Sequence, residues 1–193
     1  RILVPIGRGL QRIGVTADVV TIVGIAMSGA AAVAIGRGSL LLGFILLILT
    51  GIPDALDGAV AKAAGTSSKR GAFFDSVSDR LTDALLFGGL AWHYVSTRPG
   101  HLMMLPVAVM ASAQIISYQR AKAELLGYEA KGGVMERAER FIVLALGLLL
   151  SVVIGEDALL VVLWIMLVLT LITAIQRFIK VWLQATADQK NAR

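Results

Sequence analysis

Apolar residues in this chain come in long blocks rather than in the short alternations of a water-soluble fold. "VVTIVGIAMSGAAAVAI", "FIVLALGLLLSVVI" and "ALLVVLWIMLVLTLITAI" are too long and too free of charge for ordinary core helices. A barrel would instead need short alternating segments, and none occur. The pattern predicts an all-α integral membrane protein with six transmembrane helices, over 15–35, 40–64, 71–95, 102–126, 136–154 and 158–183. The breaks fall at "GRGS", "GTSSKRG", "STRPG", "GYEAKGG" and "GED", each rich in turn-forming residues. The opening "RILVPIGRGLQRIG" follows a different rule. It puts Ile2, Leu3, Ile6, Leu10 and Ile13 near one helical face and Arg1, Arg8 and Arg12 on the other. Too short and too charged to span, residues 1–14 are expected to form an amphipathic interfacial helix; a disordered basic tail is the alternative. Residues 15–185 are read as one membrane domain and 186–193 as a cytoplasmic tail.

Composition agrees with the pattern. Of 193 residues, 57% are hydrophobic and 16% charged, where a soluble domain carries about a quarter; the mean hydropathy is +0.80. The absence of cysteine excludes disulfides and thiolate ligands. The first residue is Arg rather than Met, so a trimmed N-terminus is expected and any targeting signal lies beyond it. The net charge of +5 becomes informative once placed along the chain: 16 of the 18 Lys and Arg fall on one side of the predicted spans, with Arg37 and Arg98 opposite. By the positive-inside rule both termini are expected in the cytoplasm.

Four aspartates lie on that same side. Asp54 and Asp57, three apart, share a face near the end of the second predicted span. Asp75 and Asp79, four apart, share a face at the start of the third. The link "GTSSKRG" is short, so these helices are expected to be antiparallel neighbours, with residue 57 level with 75 and 54 level with 79. Four carboxylates crowded beside a bilayer repel one another and cost several kcal/mol each to desolvate, so they must take up protons or bind cations. Hard oxygen ligands suit Mg²⁺, Mn²⁺ or Ca²⁺, and paired metals suit displacement at phosphorus. Helix capping, or pairing with Lys69, Arg70 or Arg80, is the competing explanation. Gly58, Ala61 and Gly71 lie among the acids and leave room for a ligand to approach the backbone, although glycine in membrane helices is also a common packing device.

These residues carry a resemblance. The pattern D-x2-D-G-x2-A-R-x8-G-x3-D-x3-D of the CDP-alcohol phosphotransferases reads here as Asp54, Asp57, Gly58, Ala61, Lys62, Gly71, Asp75 and Asp79, with the spacing intact and Lys62 in place of the usual Arg. Lys keeps the charge and loses the planar fork. The resemblance implies metal-dependent transfer of a phosphatidyl group from a CDP-linked lipid to an alcohol, with release of CMP. Carried over by position, Asp54, Asp57, Asp75 and Asp79 would hold two divalent cations, with Mg²⁺ first and Mn²⁺ second. Asp79 would also deprotonate the acceptor hydroxyl, and Gly58, Ala61, Lys62 and Gly71 would line the CDP pocket. "TADVVT" resembles the family's segment at the start of the first span, with Ala17 for its usual Pro, and no role is carried over from it.

The acceptor is read from the remaining cations. Arg120 and Lys122 end the fourth predicted span, Arg137 and Arg140 begin the fifth, and Arg177 follows a long uncharged stretch of the sixth. Together they suit an acceptor phosphate. Snorkelling to lipid phosphate, or pairing with Glu124, Glu136 and Glu139, is the alternative. "IISYQRAKAE", "GGVMERAER" and "QR" resemble the actinobacterial phosphatidylinositol phosphate synthases, which implies CDP-diacylglycerol as donor, L-myo-inositol 1-phosphate as acceptor and a homodimer in the bacterial cell membrane. Phosphatidylglycerophosphate synthesis from glycerol 3-phosphate is the nearest alternative. A cation transporter is the alternative of another class, disfavoured because the acids gather at one membrane edge. Asp83 continues the 75–79 stripe and is expected to orient neighbours. The small-residue runs "SGAAAVAIG" and "FGGLA" permit close helix packing.

Overall fold

In the computed structural model of the chain, the residues described are 16–51, 68–98 and 100–191. The chain divides into two compact units, Arg1–Pro99 and Gly100–Arg193. Every regular element among the described residues is helical. The predicted interfacial helix over 1–14 and the end of the second predicted span lie outside the described residues.

The first unit contains α1 (Ala17–Gly36), α2 (Leu40–Gly51) and α3 (Lys69–Thr97). Thr16 caps α1, its side chain accepting from the Val19 amide at 3.4 Å, and Asp18 sits in the first turn, where a negative charge suits the helix dipole. At the other end Gly38 adopts φ +84°. Its amide bonds to Ile35 O at 2.9 Å and the Ser39 amide to Ala34 O at 2.9 Å. This Schellman closure satisfies the last carbonyls and turns the chain straight into α2. The "GRGS" break is therefore a tight hairpin.

α1 packs against α3 along the two small-residue runs. A Cβ at Gly89 would lie 2.5 Å from Ala32 O and 2.7 Å from Ala32 Cα, so the two backbones touch. One Cβ at Gly36 would strike the Trp92 ring at 2.2 Å. Lipid tails are as apolar as leucine, so such close approach, rather than escape from water, holds membrane helices together.

The second unit begins with a 3₁₀ turn, His101–Met103, leading into α4 (Met104–Leu125). Then come α5 (Arg137–Ile154) and α6 (Glu156–Asn191). α6 packs against both α4 and α5; Leu159, Leu163 and Met166 are fully buried there, with Val109, Ile116, Leu144 and Leu148 also in the core. Gly127 ends α4 as Gly38 ends α1: φ is +81°, and the Tyr128 amide reaches Ala123 O at 2.8 Å. Buried hydroxyls return to their own helices, as Ser112 does to Ala108 O at 2.9 Å and Thr170 to Met166 O at 2.8 Å, so no polar atom of theirs is left facing hydrocarbon.

Three of the helices are long and apolar enough to cross a membrane: Ala17–Gly36, His101–Leu125 and Glu156–Lys190. They coincide with the first, fourth and sixth predicted spans. The third corresponds to α3, 29 residues long with charges along its first half. The fifth corresponds to α5, whose 18 residues open with Arg137, Glu139 and Arg140. α6 continues as helix to Asn191, through the stretch expected as a tail. The described helices are those of an integral membrane protein; large side chains such as Trp164, Val168, Leu171, Ile175 and Phe178 are exposed along α6.

Candidate active site

On the first unit the site residues start at the N-terminus of α3. Ser68 caps the helix, its Oγ accepting from the Gly71 amide at 3.0 Å. Among the described residues, a Cβ on Gly71 would meet only that Ser68 Oγ, at 3.4 Å, an ordinary contact that leaves the backbone approachable. One turn on stands Asp75, exposed, and after another Asp79, whose side chain is 18% exposed. Helical spacing puts Asp75, Asp79 and Asp83 along one face, and Asp83 is half-buried.

The cations near these acids have distinct partners. Arg70 Nη2 donates to Asp18 Oδ2 at 2.8 Å, tying the first turn of α1 to that of α3. Arg80 Nη1 donates to Ser76 O at 2.7 Å and reaches Asp79 Oδ2 at 3.3 Å. Two hard carboxylate donors one turn apart, one exposed and one partly so, fit the chemistry of Mg²⁺ or Mn²⁺. Among the described residues they do not form a group of three ligands. Asp54, Asp57, Gly58, Ala61 and Lys62 lie outside the described residues.

The second unit carries the other predicted cations. Arg120 Nε pairs with Glu124 Oε1 at 2.9 Å, one turn away on the exposed face of α4, and Lys122 is exposed as well. Arg140 and Arg177 are both 4% exposed, and Arg137 is half-buried. Arg177 joins three elements. Its Nε donates to Gly132 O at 2.9 Å, its Nη1 to Ile116 O on α4 at 3.1 Å, and its Nη2 to Glu136 Oε1 at the start of α5. Three of the five N–H groups of the guanidinium are thus engaged by described residues. A cleft of about 290 Å³ opens beside it, lined by Lys131, Gly132, Gly133, Val134, Gln176, Arg177 and Lys180.

Sequence reasoning named Glu124 and Glu136 as possible partners of these cations, and the structure pairs the first with Arg120 and the second with Arg177. It missed the Asp18–Arg70 pair and the positive charge that Lys131 and Lys180 bring to the cleft. The recurrence of Thr173, Arg177, Lys180 and Gln184 at steps of three and four was the available signal. His93 is 1% exposed and packs edge-on to Tyr94, ring centroids 5.4 Å apart.

Comparison with known proteins gives these features a frame. The family model described as CDP-alcohol phosphatidyltransferase matches residues 14–182. A phosphatidylinositol phosphate synthase of Mycobacterium tuberculosis is 37% identical over an alignment covering 100% of this chain and 91% of the relative, and one of Streptomyces avermitilis is 36% identical, covering 100% and 83%. Among solved structures, the M. tuberculosis phosphatidylinositol phosphate synthase with CDP-DAG bound is similar at TM-score 0.87 and 37% identity, over 94% of each chain. The same enzyme in complex with manganese and citrate is similar at TM-score 0.86 and 35% identity, over 93% of this chain and 88% of that one. The motif aspartates thus sit in a match that runs through both units, and this chain belongs to the CDP-alcohol phosphatidyltransferase family.

Proposed function

We propose that the chain transfers a phosphatidyl group from CDP-diacylglycerol to the hydroxyl of L-myo-inositol 1-phosphate, giving phosphatidylinositol phosphate and CMP. The observation that carries this reading is the near-complete similarity, in sequence and in fold, to synthases of that name, one of them with CDP-DAG bound.

The residues have chemistry to match. Asp75 and Asp79, with Asp54 and Asp57, would hold two divalent cations at the diphosphate; a relative's manganese complex and the donor set support this. Bound there, the cations would offset charge on the leaving phosphate. Asp79 takes the proton of the acceptor hydroxyl. The hydroxyl oxygen then forms a bond to the lipid-side phosphorus, and the bond from that phosphorus to the oxygen of CMP breaks. Gly71, with Gly58, Ala61 and Lys62, borders the nucleotide. Arg120, Lys122, Arg137, Arg140 and Arg177 attract the phosphate of the acceptor, and the cleft with Arg177 in its wall supports that part. The bias of Lys and Arg to one side of the spans supports a cytoplasmic site and cytoplasmic termini.

The test is competition. Purified protein with CDP-diacylglycerol and Mg²⁺ or Mn²⁺ is offered inositol 1-phosphate and glycerol 3-phosphate together. Phosphatidylinositol phosphate is the expected product, and preference for glycerol 3-phosphate refutes the acceptor while leaving the reaction class.

A further inference from the structure

Residues 126–136 connect α4 to α5 without forming a helix, yet they are fastened along α6. The Met135 amide donates to Thr173 Oγ1 at 2.8 Å. Arg177 takes Gly132 O and Glu136, as described. Lys180 Nζ donates to Lys131 O at 3.1 Å and reaches Glu129 Oε1 at 3.4 Å. Gln184 clasps Glu129 from both sides, accepting from its amide at 2.9 Å and donating to its carbonyl at 2.8 Å. Desolvation and, after it, the Asp188 carboxylate hold the Tyr128 hydroxyl above the ordinary tyrosine value. Steps of three and four residues keep these five positions on one face of α6, and the partner numbers fall as those of α6 rise. The segment is an antiparallel strap. It also lies close: a Cβ at Gly133 would sit 2.3 Å from Thr173 Cγ2.

Glu136 is where the strap becomes α5. It occupies the N-cap position but makes no side-chain cap bond to its own helix. Its Oε1 instead accepts from the Gly132 amide at 3.0 Å and from Arg177. One carboxylate oxygen thereby couples the strap, the N-cap of α5 and, through Arg177, a carbonyl of α4. Arg137 follows immediately, and Arg140 stands one turn on. A carboxylate cannot itself favour an anionic acceptor, because like charges repel. What Glu136 supplies is geometry.

We propose that Glu136 is a positioning residue: by tying the start of α5 to Gly132 and Arg177 it aims Arg137 and Arg140 at the acceptor phosphate, and so sets acceptor affinity without contact. This rests on the acceptor reading above.

The experiment compares Glu136→Ala, Glu136→Gln and Thr173→Val with the wild-type full chain, reading kcat, the KM for inositol 1-phosphate, the KM for CDP-diacylglycerol, and hydrogen exchange at the Gly132 and Met135 amides. Glu136→Ala raises the acceptor KM about tenfold, the scale of losing a hydrogen bond to a charged group, with the donor KM within about twofold, and speeds exchange at Gly132. Glu136→Gln keeps an acceptor oxygen and stays within about threefold of wild type. Thr173→Val, which changes no charge, shifts the acceptor KM in the same direction as Glu136→Ala and speeds exchange at Met135. The proposal is overturned if both KM values rise together, if kcat alone falls, or if Glu136→Gln tightens the acceptor as simple charge removal would. Should Glu136→Ala fail to fold, the other two variants decide by the same criteria. Absence of turnover with any phosphorylated acceptor in wild type defeats the acceptor reading instead. Unchanged Gly132 exchange in Glu136→Ala defeats the positioning role whatever the acceptor.

Discussion

Residue by residue, the proposed chemistry rests on carboxylates whose spacing is simple and on an arginine whose setting is not. Asp79→Asn keeps size and removes the base, so CMP release is expected to fall about a hundredfold or more, measured with the protein still folded; release at the wild-type rate would remove Asp79 from catalysis. The Asp75–Asp79 stripe was legible because helical spacing is a property of sequence alone. The surroundings of Arg177 were not. Two of its three partners are backbone carbonyls, which every residue possesses and no motif records. Asp18 and Arg70, 52 positions apart, were equally hidden, since a long-range pair needs the fold first. Tyr128 offers a pH test at this scale. Its hydroxyl is held above the ordinary tyrosine value by desolvation and by the Asp188 carboxylate. That preference for the neutral phenol contributes fully below the unfolded value of about 10 and is lost as pH rises through the higher folded value. Absorbance titration of tyrosinate should show a late-titrating component that Asp188→Asn returns toward the ordinary range.

Among the elements, the α1–α3 seam brings backbone against backbone on the first unit. Gly89→Val places a branched side chain against the Ala32 backbone, where no rotamer can escape it. The expected loss is about 1–3 kcal/mol, the usual cost of overpacking, read as a lower melting temperature in detergent. Melting like wild type would mean the helices separate freely. Both small-residue runs stood out in the sequence, because helices cross closely in lipid only where side chains are small. Their pairing with each other could not be read from composition. The strap is the opposite case. "GYEAKGG" looks like punctuation between spans, since its glycines and charges follow no period. Its order comes from the face of α6 beneath it, so the strap itself carried little of the signal.

For the molecule as a whole, membrane class, three of the predicted spans and the family were readable because long apolar blocks and a spaced motif survive without any knowledge of packing. The motif's first half was equally readable, while its placement falls outside the described residues. Each unit holds part of the proposed chemistry: carboxylates on α3 in the first, cations on α4, α5 and α6 in the second. Chelation with EDTA is expected to stop turnover, and excess Mg²⁺ or Mn²⁺ to restore it; turnover that persists after chelation would sink the metal-dependent reading. The last helix adds a mechanical corollary. Its 36 residues extend about 54 Å at the standard rise, well beyond a hydrocarbon slab of about 30 Å, and it contains neither glycine nor proline to act as a hinge. A thinner or thicker bilayer tilts such a rod, and the stretch that grips residues 128–136 must swing with it. On the proposed acceptor site, acyl-chain length in reconstituted vesicles is therefore expected to change the KM for inositol 1-phosphate, and a KM independent of it would show the grip to be rigid.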